Sequence, residues 1–542
     1  MAGAGGVVIS QRILTGPVET PTSRPWVGVA AVMLAALLAT MSARLTSFGL
    51  TDIGSAIGAG FDERAWITTS FNVAQMLIGP VSAWLGLVFG LRRVLMGGAI
   101  LYAFAQLLLP FCPDLPTFLF MQFLSGLGSG TFIPLTVGVV LKTLPKPFWV
   151  LGISAYALNL ELSLNIAATL EGWHIDHGGW RWIFWQNLPV ALALIFCIRA
   201  GIPSEPIKKD ELGKGDYWGM ALAGGGFSLV YACLDQGNRL DWASSGLIVG
   251  LGLAGLILLA GFVWHAATSP LAAIDFKFLT RRNILIMTVL LALSRMLVLS
   301  SNYLVPQFLT TVGGFRPSEV GDLLLWVALP QFLIGPLVGA VLLRVDARYV
   351  LAVGIALVCI ACVMASFLTP DWAEAQFIPS MLLQALGQTM VLTALVYYFA
   401  LHLTPTLVLT FGAIAQTARL FGGEVATAVI QTYQRVLGQV HSNLIGLHVG
   451  AGDADTNLRL AQYSGGALAR FGAQDPANSA RSIALLSNAV RAQAQTMGFA
   501  DTFLLVAATA AAGIVLVALL QPPPAAPPPA PTPPLHPVAS AA

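Results

Sequence analysis

The chain reads as an all-α, polytopic membrane protein with about fourteen transmembrane helices. Three observations predict this. Of its 542 residues, 56% are hydrophobic and only 10% charged, where a soluble domain carries about 25% charged residues. The apolar residues fall in long unbroken runs, the clearest being Trp66–Phe89, which has no charged side chain. At about 1.5 Å per residue this run makes about 36 Å of helix, enough to cross a hydrocarbon core of about 30 Å with some tilt. Lys and Arg, finally, concentrate in alternate loops.

The hairpin from Trp66 to the run beginning at Val94 orients the rest. Gly90 turns the chain, Arg92 and Arg93 add two positive charges, and a basic hairpin end belongs in the cytoplasm. Loops on that side hold thirteen Lys and Arg, against Arg44, Arg64, Arg181, Arg239 and Arg316 in the short loops opposite; Arg12 and Arg24 raise thirteen to fifteen. An even helix number then puts both termini in the cytoplasm.

In order, residues 1–25 are a polar lead without the pattern of a cleavable leader. Apolar runs follow at 26–45, 66–89, 94–112, 115–141, 147–172 and 182–199. A charged linker, 201–216, with turn-prone Pro and Gly, precedes runs at 217–234 and 246–266. Five more occupy 283–305, 322–343, 348–368, 376–401 and 406–437. Residues 438–498 form a long extracytoplasmic loop that is partly helical by periodicity, and the last run is 499–520. The tail from Gln521 is Pro-rich and reads as a polyproline-type cytoplasmic extension. An internal echo links GPVSAWLGLVFGLRRVL (79–95) with GPLVGAVLLRVDARYVL (335–351), each a Gly-Pro in an apolar helix before a short basic turn. Parallel repeats of this kind mark transporters with a midplane site between halves.

A net charge of +2 argues against nucleic-acid binding. Cys359 and Cys362 form a C-x-x-C inside an apolar run with no His or acid nearby, which reads as helix packing. His174, Asp176 and His177 sit in what reads as a tight loop, a poor scaffold for a metal. No convincing P-loop, nucleophile elbow or H-E-x-x-H is present, so the chain is not read as an enzyme, and no cofactor is expected.

These residues resemble the major facilitator superfamily, specifically the 14-helix drug:proton antiporter branch of EmrB/QacA type. The resemblance covers about residues 26–520 and rests on WITTSF at 66–71, GLRR at 90–93 and GLGSGTFIPL at 126–135. WRWIFWQNLP at 180–189, YLVPQFLTTVGGFRPSEVG at 303–321, TARLFGG at 417–423 and QVHSNL at 439–444 complete it. It implies two six-helix bundles, 26–200 and 283–520, with two extra helices within 201–282, and alternating access. It also implies proton-coupled efflux of a small amphipathic organic substrate, with a periplasmic membrane-fusion protein and an outer-membrane channel as partners beside the membrane lipid. The chain departs from the family pattern at Ser42, where an acid is expected, at Leu87, likewise, at Gln122, where an Arg is expected, and at AATLEG (167–172) in place of G-P-x-x-G-G. Those departures leave open a transporter with altered or no proton coupling, working as a uniporter or in uptake. From another class, the long loop and tail would suit a non-transporting sensor or scaffold.

An ionisable group at membrane depth is costly and is therefore a functional candidate. Glu161, in the fifth run, and Glu424, in the thirteenth, are the proton-coupling candidates. Arg44, Gln122, Asn165, Arg295 and Arg419 are candidates for the substrate path or gating. Arg419 and Glu424, five residues apart, lie some 140° apart on a helix and need not pair. Gly90, Arg92 and Arg93 are expected to form a conformational latch, the Gly permitting the turn and the Arg side chains reaching helix-end carbonyls.

Overall fold

A computed structural model describes residues 24–143, 149–213, 215–269, 280–402, 408–450, 452–471 and 478–522. The Pro-rich tail beyond 522, most of the N-terminal lead and the side chain of Glu161 lie outside the described residues. Among the described residues, fourteen helices form the bundle. The first six are α1 (Pro25–Phe48), α2 (Trp66–Phe89), α3 (Leu91–Leu108), α4 (Leu115–Gly130, resuming as Phe132–Thr143), α5 (Trp149–His177) and α6 (Asn187–Gly201). Then come α7 (Tyr217–Gly237) and α8 (Gly246–Thr268). The last six are α9 (Arg282–Leu299, continued through a π-helical turn, Ser300–Leu304, to Val305–Thr311), α10 (Pro317–Leu342), α11 (Ala347–Ala365), α12 (Glu374–His402), α13 (Val408–Gly446) and α14 (Asn478–Ala518). Among the described residues, twelve helices are long and apolar enough to cross a membrane; α5 and α13 complete the set by their place in the bundle.

The packing has an internal two-fold pattern. In the first half α1 packs on α4, α5 and α6, while α2 and α6 reach α4 and α3 respectively and α3 lies on α4. Each of these pairs recurs eight helices later: α9 on α12, α13 and α14, α10 on α12, α14 on α11, and α11 on α12. The contacts between halves obey the same rule, α5 with α10 and α12 matching α13 with α2 and α4. The sequence echo falls where this pattern puts it. Gly79 of α2 approaches Gln416 of α13, and Gly335 of α10 approaches Leu158 of α5, so both Gly-Pro steps sit at the junction between halves. The extra helices α7 and α8 pair with each other, and α7 seats them against α2 and α13.

Small residues make this closeness possible. A Cβ on Gly126 would run into the Phe71 carbonyl, and on Gly128 would stand 2.7 Å from the Gly98 carbonyl, so α2, α3 and α4 touch backbone to backbone. Outward faces are apolar: on α8, Leu253, Leu256, Ile257 and Trp264 are all more than half exposed, as expected where lipid is the solvent. The chain enters α1 and leaves α14 at the same end as the Gly90 turn. Gly201 of α6 abuts Gly28, and Arg348, after the α10–α11 turn, donates to the Leu520 carbonyl.

Three sequence readings are corrected. The loop at 438–498 is shorter than expected, because α13 runs on to Gly446 and α14 begins at Asn478, with a further helix, Ala454–Phe471, between them. His174 and His177 belong to the last turn of α5 rather than a tight loop, and His174 bonds Gln186 at 2.7 Å. The seventh span extends past 234 to Gly237, which brings Asp235 inside it.

Candidate functional site

Each half holds buried neutral polar pairs, and one pair crosses between the halves. Ser42, at the position where the family pattern expects an acid, bonds the Tyr102 hydroxyl of α3. Gln75 of α2 donates to Ser129 of α4 and to the Ala39 carbonyl. Gln122 sits 3.5 Å from Thr46, a neutral pair in place of the expected Arg. Asn165 of α5 crosses between halves to Gln331 of α10 at 3.3 Å. In the second half, Gln384 and Gln388 of α12 donate to Ser300 and Ser301 in the π-helical turn of α9. A π-helical turn leaves backbone groups out of the regular ladder and is often found at functional sites.

The sequence-selected cations lie on α1, α9 and α13. Arg44 lies within electrostatic range of Tyr303 on α9, across the junction. Arg295 is buried, facing α13 at Gly423. Arg419 donates to Gln416 at 3.1 Å and lies near Tyr156 of α5. Its neighbour Glu424 points elsewhere, consistent with the angle between positions five residues apart.

Glu424 turns to α7. It is buried, with 7% of its surface exposed, and lies within electrostatic range of Tyr231, which Asn72 of α2 also approaches. One turn further along α7 from Tyr231 lies Asp235, within electrostatic range of Glu424. Asp235 accepts hydrogen bonds from Thr69 of α2 and from Gln236. Among the described residues no Lys or Arg comes within ion-pair distance of either carboxylate. The nearest basic group, Arg239, is taken up by Gln236 and by Asp62 at 2.6 Å. Two carboxyl groups thus share the seam where α2, α7 and α13 meet, Glu424 buried and Asp235 partly exposed, and a proton or a cation is needed to neutralise them.

Sequence reasoning selected Glu424 because it interrupts an apolar run, and missed Asp235 because an acid followed by Gln and Gly reads as the end of one. The usable signal was the four-residue spacing Ala223, Phe227, Tyr231, Asp235, which continues one helix face past the apparent boundary.

The latch residues divide. Gly90 has φ +85°, a left-handed conformation that suits glycine. Arg93 donates to the Phe89 carbonyl at the end of α2 and to the Glu205 carbonyl in the linker at 2.6 Å, while the Lys208 amide bonds Val88. The turn and the linker after α6 are therefore tied together. Arg92 takes no part in these bonds.

Comparison with known proteins agrees with this geometry. The family model described as Major Facilitator Superfamily matches residues 32–427. The fatty acid resistance protein FarB of Neisseria gonorrhoeae is 22% identical over 487 residues, 87% of this chain and 91% of its own. The multidrug export protein EmrB of Haemophilus influenzae is 24% identical over 354 residues, 65% of this chain and 67% of its own. Among solved structures, a bacterial homologue of the human lysosomal transporter Spinster, in an inward-facing state, overlays with TM-score 0.51 at 14% identity, covering 92% of this chain and 98% of its own. With the paired halves and inter-half helix contacts already in place, the chain belongs to the major facilitator superfamily of membrane transporters.

Proposed function

We propose that this transporter is a proton-coupled exporter of amphipathic organic compounds, seated in a bacterial inner membrane with both termini in the cytoplasm. The observation that carries the coupling is the Glu424–Asp235 pair, which among the described residues has no Lys or Arg within ion-pair distance. A proton satisfies it in one state and leaves in another as α13 moves against α2 and α7. Glu161, near the middle of α5, is the second proton-site candidate. Two relatives are named for multidrug export and for fatty acid resistance, and amphipathic organic compounds fit both names.

Beyond the spans, the ends of α13 and α14 enclose a polar cleft of about 560 Å³ edged by Arg435, Gln439, Asn443 and Arg491. That face is offered to a membrane-fusion protein, with an outer-membrane channel beyond it. Co-purification that never recovers such a protein removes this part of the proposal.

The test is pH-gradient-driven flux of lipophilic cations and anions into inverted vesicles. Wild type is compared with Glu424→Gln, Asp235→Asn and Glu161→Gln. Gradient-dependent flux lost in Glu424→Gln or Asp235→Asn supports the pair as the coupling site. Loss in Glu161→Gln alone moves the site to α5. Flux that survives in all three and ignores a protonophore means a facilitator without proton coupling.

A further inference from the structure

Where the chain leaves α14 it is gripped by three other helices. Arg348, in the first turn of α11, donates to the Leu520 carbonyl at 3.1 Å. Asn283, at the start of α9, meets both backbone groups of Gln521. Its side-chain oxygen accepts from the Gln521 amide at 3.1 Å, and its amide nitrogen donates to the Gln521 carbonyl at 3.3 Å. The Tyr398 hydroxyl of α12 donates to that same carbonyl. The first half holds a counterpart, since Arg93, in the first turn of α3, donates to the Glu205 carbonyl beyond α6. In each half an Arg at the start of the third helix thus grips the segment that follows the sixth.

The second half adds a histidine to this grip. His402, the last residue of α12, bonds the Tyr398 carbonyl through Nδ1 at 3.0 Å, so Nδ1 carries the hydrogen and Nε2 keeps a lone pair. That lone pair faces the Asn283 amide nitrogen at 3.3 Å. The Gln521 N–H fixes the orientation of the Asn283 amide, because it needs the oxygen. Protonation of His402 reverses the match. Its Nε2–H would point at the Asn283 N–H groups, donor against donor, unless Asn283 turns its oxygen to the imidazole. So turned, Asn283 presents nitrogen to the Gln521 N–H, and that bond is lost. The other titratable and charged groups around His402 are few among the described residues. Tyr398 lies on its own helix, Asp346 and Arg348 stand within electrostatic range of Tyr398, and Arg281 and Arg282 precede Asn283. Asp346 is taken up by Arg348 at 2.9 Å, and no carboxylate among the described residues pairs with His402.

We propose that Asn283, Tyr398 and His402 form a pH-sensing latch on Gln521, closed while His402 is neutral and released when it takes up a proton. On the orientation proposed above the latch faces the cytoplasm, so acid on that side frees the end of α14 from α9 and α12 while Arg348 still holds Leu520. The inference goes beyond the coupling reading and does not rest on it, since Glu424 and Asp235 take no part in these contacts. A free imidazole titrates near pH 6.5, which places the release between about pH 7 and pH 5.

The test measures the distance between nitroxides at Tyr349 and Leu519 in the full chain in lipid nanodiscs. Both positions are exposed, and the latch bonds to Gln521 use its backbone, so neither label displaces a partner. The expected result is one narrow distance population at pH 8 and a second, broader one that grows as the pH is lowered to 5.5. His402→Gln, which keeps an acceptor towards Asn283 but cannot take up a proton, should stay narrow at both pH values. Asn283→Ala should be broad at both. Tyr398→Phe, which removes one bond to Gln521 and leaves the histidine in place, should keep the pH response and start it at higher pH. Glu424→Gln should respond as the wild type does, so the latch and the coupling reading stand or fall separately. A wild type that is narrow at both pH values would overturn the proposal. So would a His402→Gln variant that broadens with acid as the wild type does, because another group would then be the sensor.

Discussion

Tyr231 of α7 stands beside Glu424 of α13, where one of the two extra helices packs on the second six-helix half. Asp235 shares the seam, so the two acids should act as one unit. Glu424→Gln and Asp235→Asn should each reduce gradient-driven flux by about tenfold or more, and the double variant should be no worse than the poorer single one. Losses that multiply would mean two independent groups. Tyr231→Phe should reduce flux several-fold without abolishing it, since the acids remain but the hydroxyl beside Glu424 is gone.

Two neighbouring glycines on α3 and α4 are expected to behave in opposite ways. Gly97 has nothing within 4 Å of where a Cβ would stand, so Gly97→Ala should leave stability unchanged or raise it by up to about 1 kcal/mol through reduced unfolded-state freedom. A Cβ on Gly126 would collide with the Phe71 carbonyl and lie 2.8 Å from the Ala74 Cβ. Gly126→Ala should cost about 1–3 kcal/mol and lower the melting temperature of the purified protein. Equal melting temperatures for the two variants would show that α2 and α4 are not held at backbone contact.

Much of this architecture was legible because a bilayer imposes a length on every span and tolerates few charges along it. Runs such as Trp66–Phe89 announce themselves to the residue, and that helix begins and ends where the sequence places it. The Gly-Pro echo also carried true information, since Gly79 and Gly335 hold equivalent contacts between the halves. What composition hides is where a helix continues into water. The ends of α13 and α14 are polar because they have left the hydrocarbon, and polarity there looks like loop. The break in α4 at Thr131 and the π-helical turn in α9 follow from packing that no local pattern records. The site was half legible for a related reason. Glu424 stands out as an acid amid apolar residues, whereas Asp235 sits at a helix end and gains meaning only when α7 is laid against α13.

The turn between α2 and α3 should be sensitive at two of its three latch positions. Gly90→Ala forces a side chain into φ +85° and places its Cβ 3.0 Å from that of Glu205, costing about 1–2 kcal/mol. Arg93→Ala removes the tie from the α2 end to the linker and should cost about 1 kcal/mol. Arg92→Ala should match wild type in melting temperature and differ at most in membrane topology. A loss for Arg92→Ala as large as for Arg93→Ala would contradict this division.

On the opposite face, the turn between α7 and α8 clasps both halves. Arg239 reaches Asp62 before α2, and Asp241 reaches Arg435 of α13 at 3.1 Å. The turn itself is strained, with Asp241 and Trp242 both at positive φ, and the Trp242 ring lies on Gly237 where a side chain would block it. The hydrogen bond from Arg435, helped by Ser244, holds the Asp241 carboxyl below the usual carboxylate range. A depressed carboxylate contributes above its unfolded value of about 3.9, and that contribution is lost as pH falls through the lowered folded value. The clasp should therefore be as tight at pH 5 as at pH 7 and loosen only below about pH 4. Spin labels at Ser245 and Gln439 would report it as one narrow distance population at both pH values. Asp241→Asn should broaden that population at every pH. Broadening of the wild type already between pH 5 and 7 would place control of the clasp on a different titrating group.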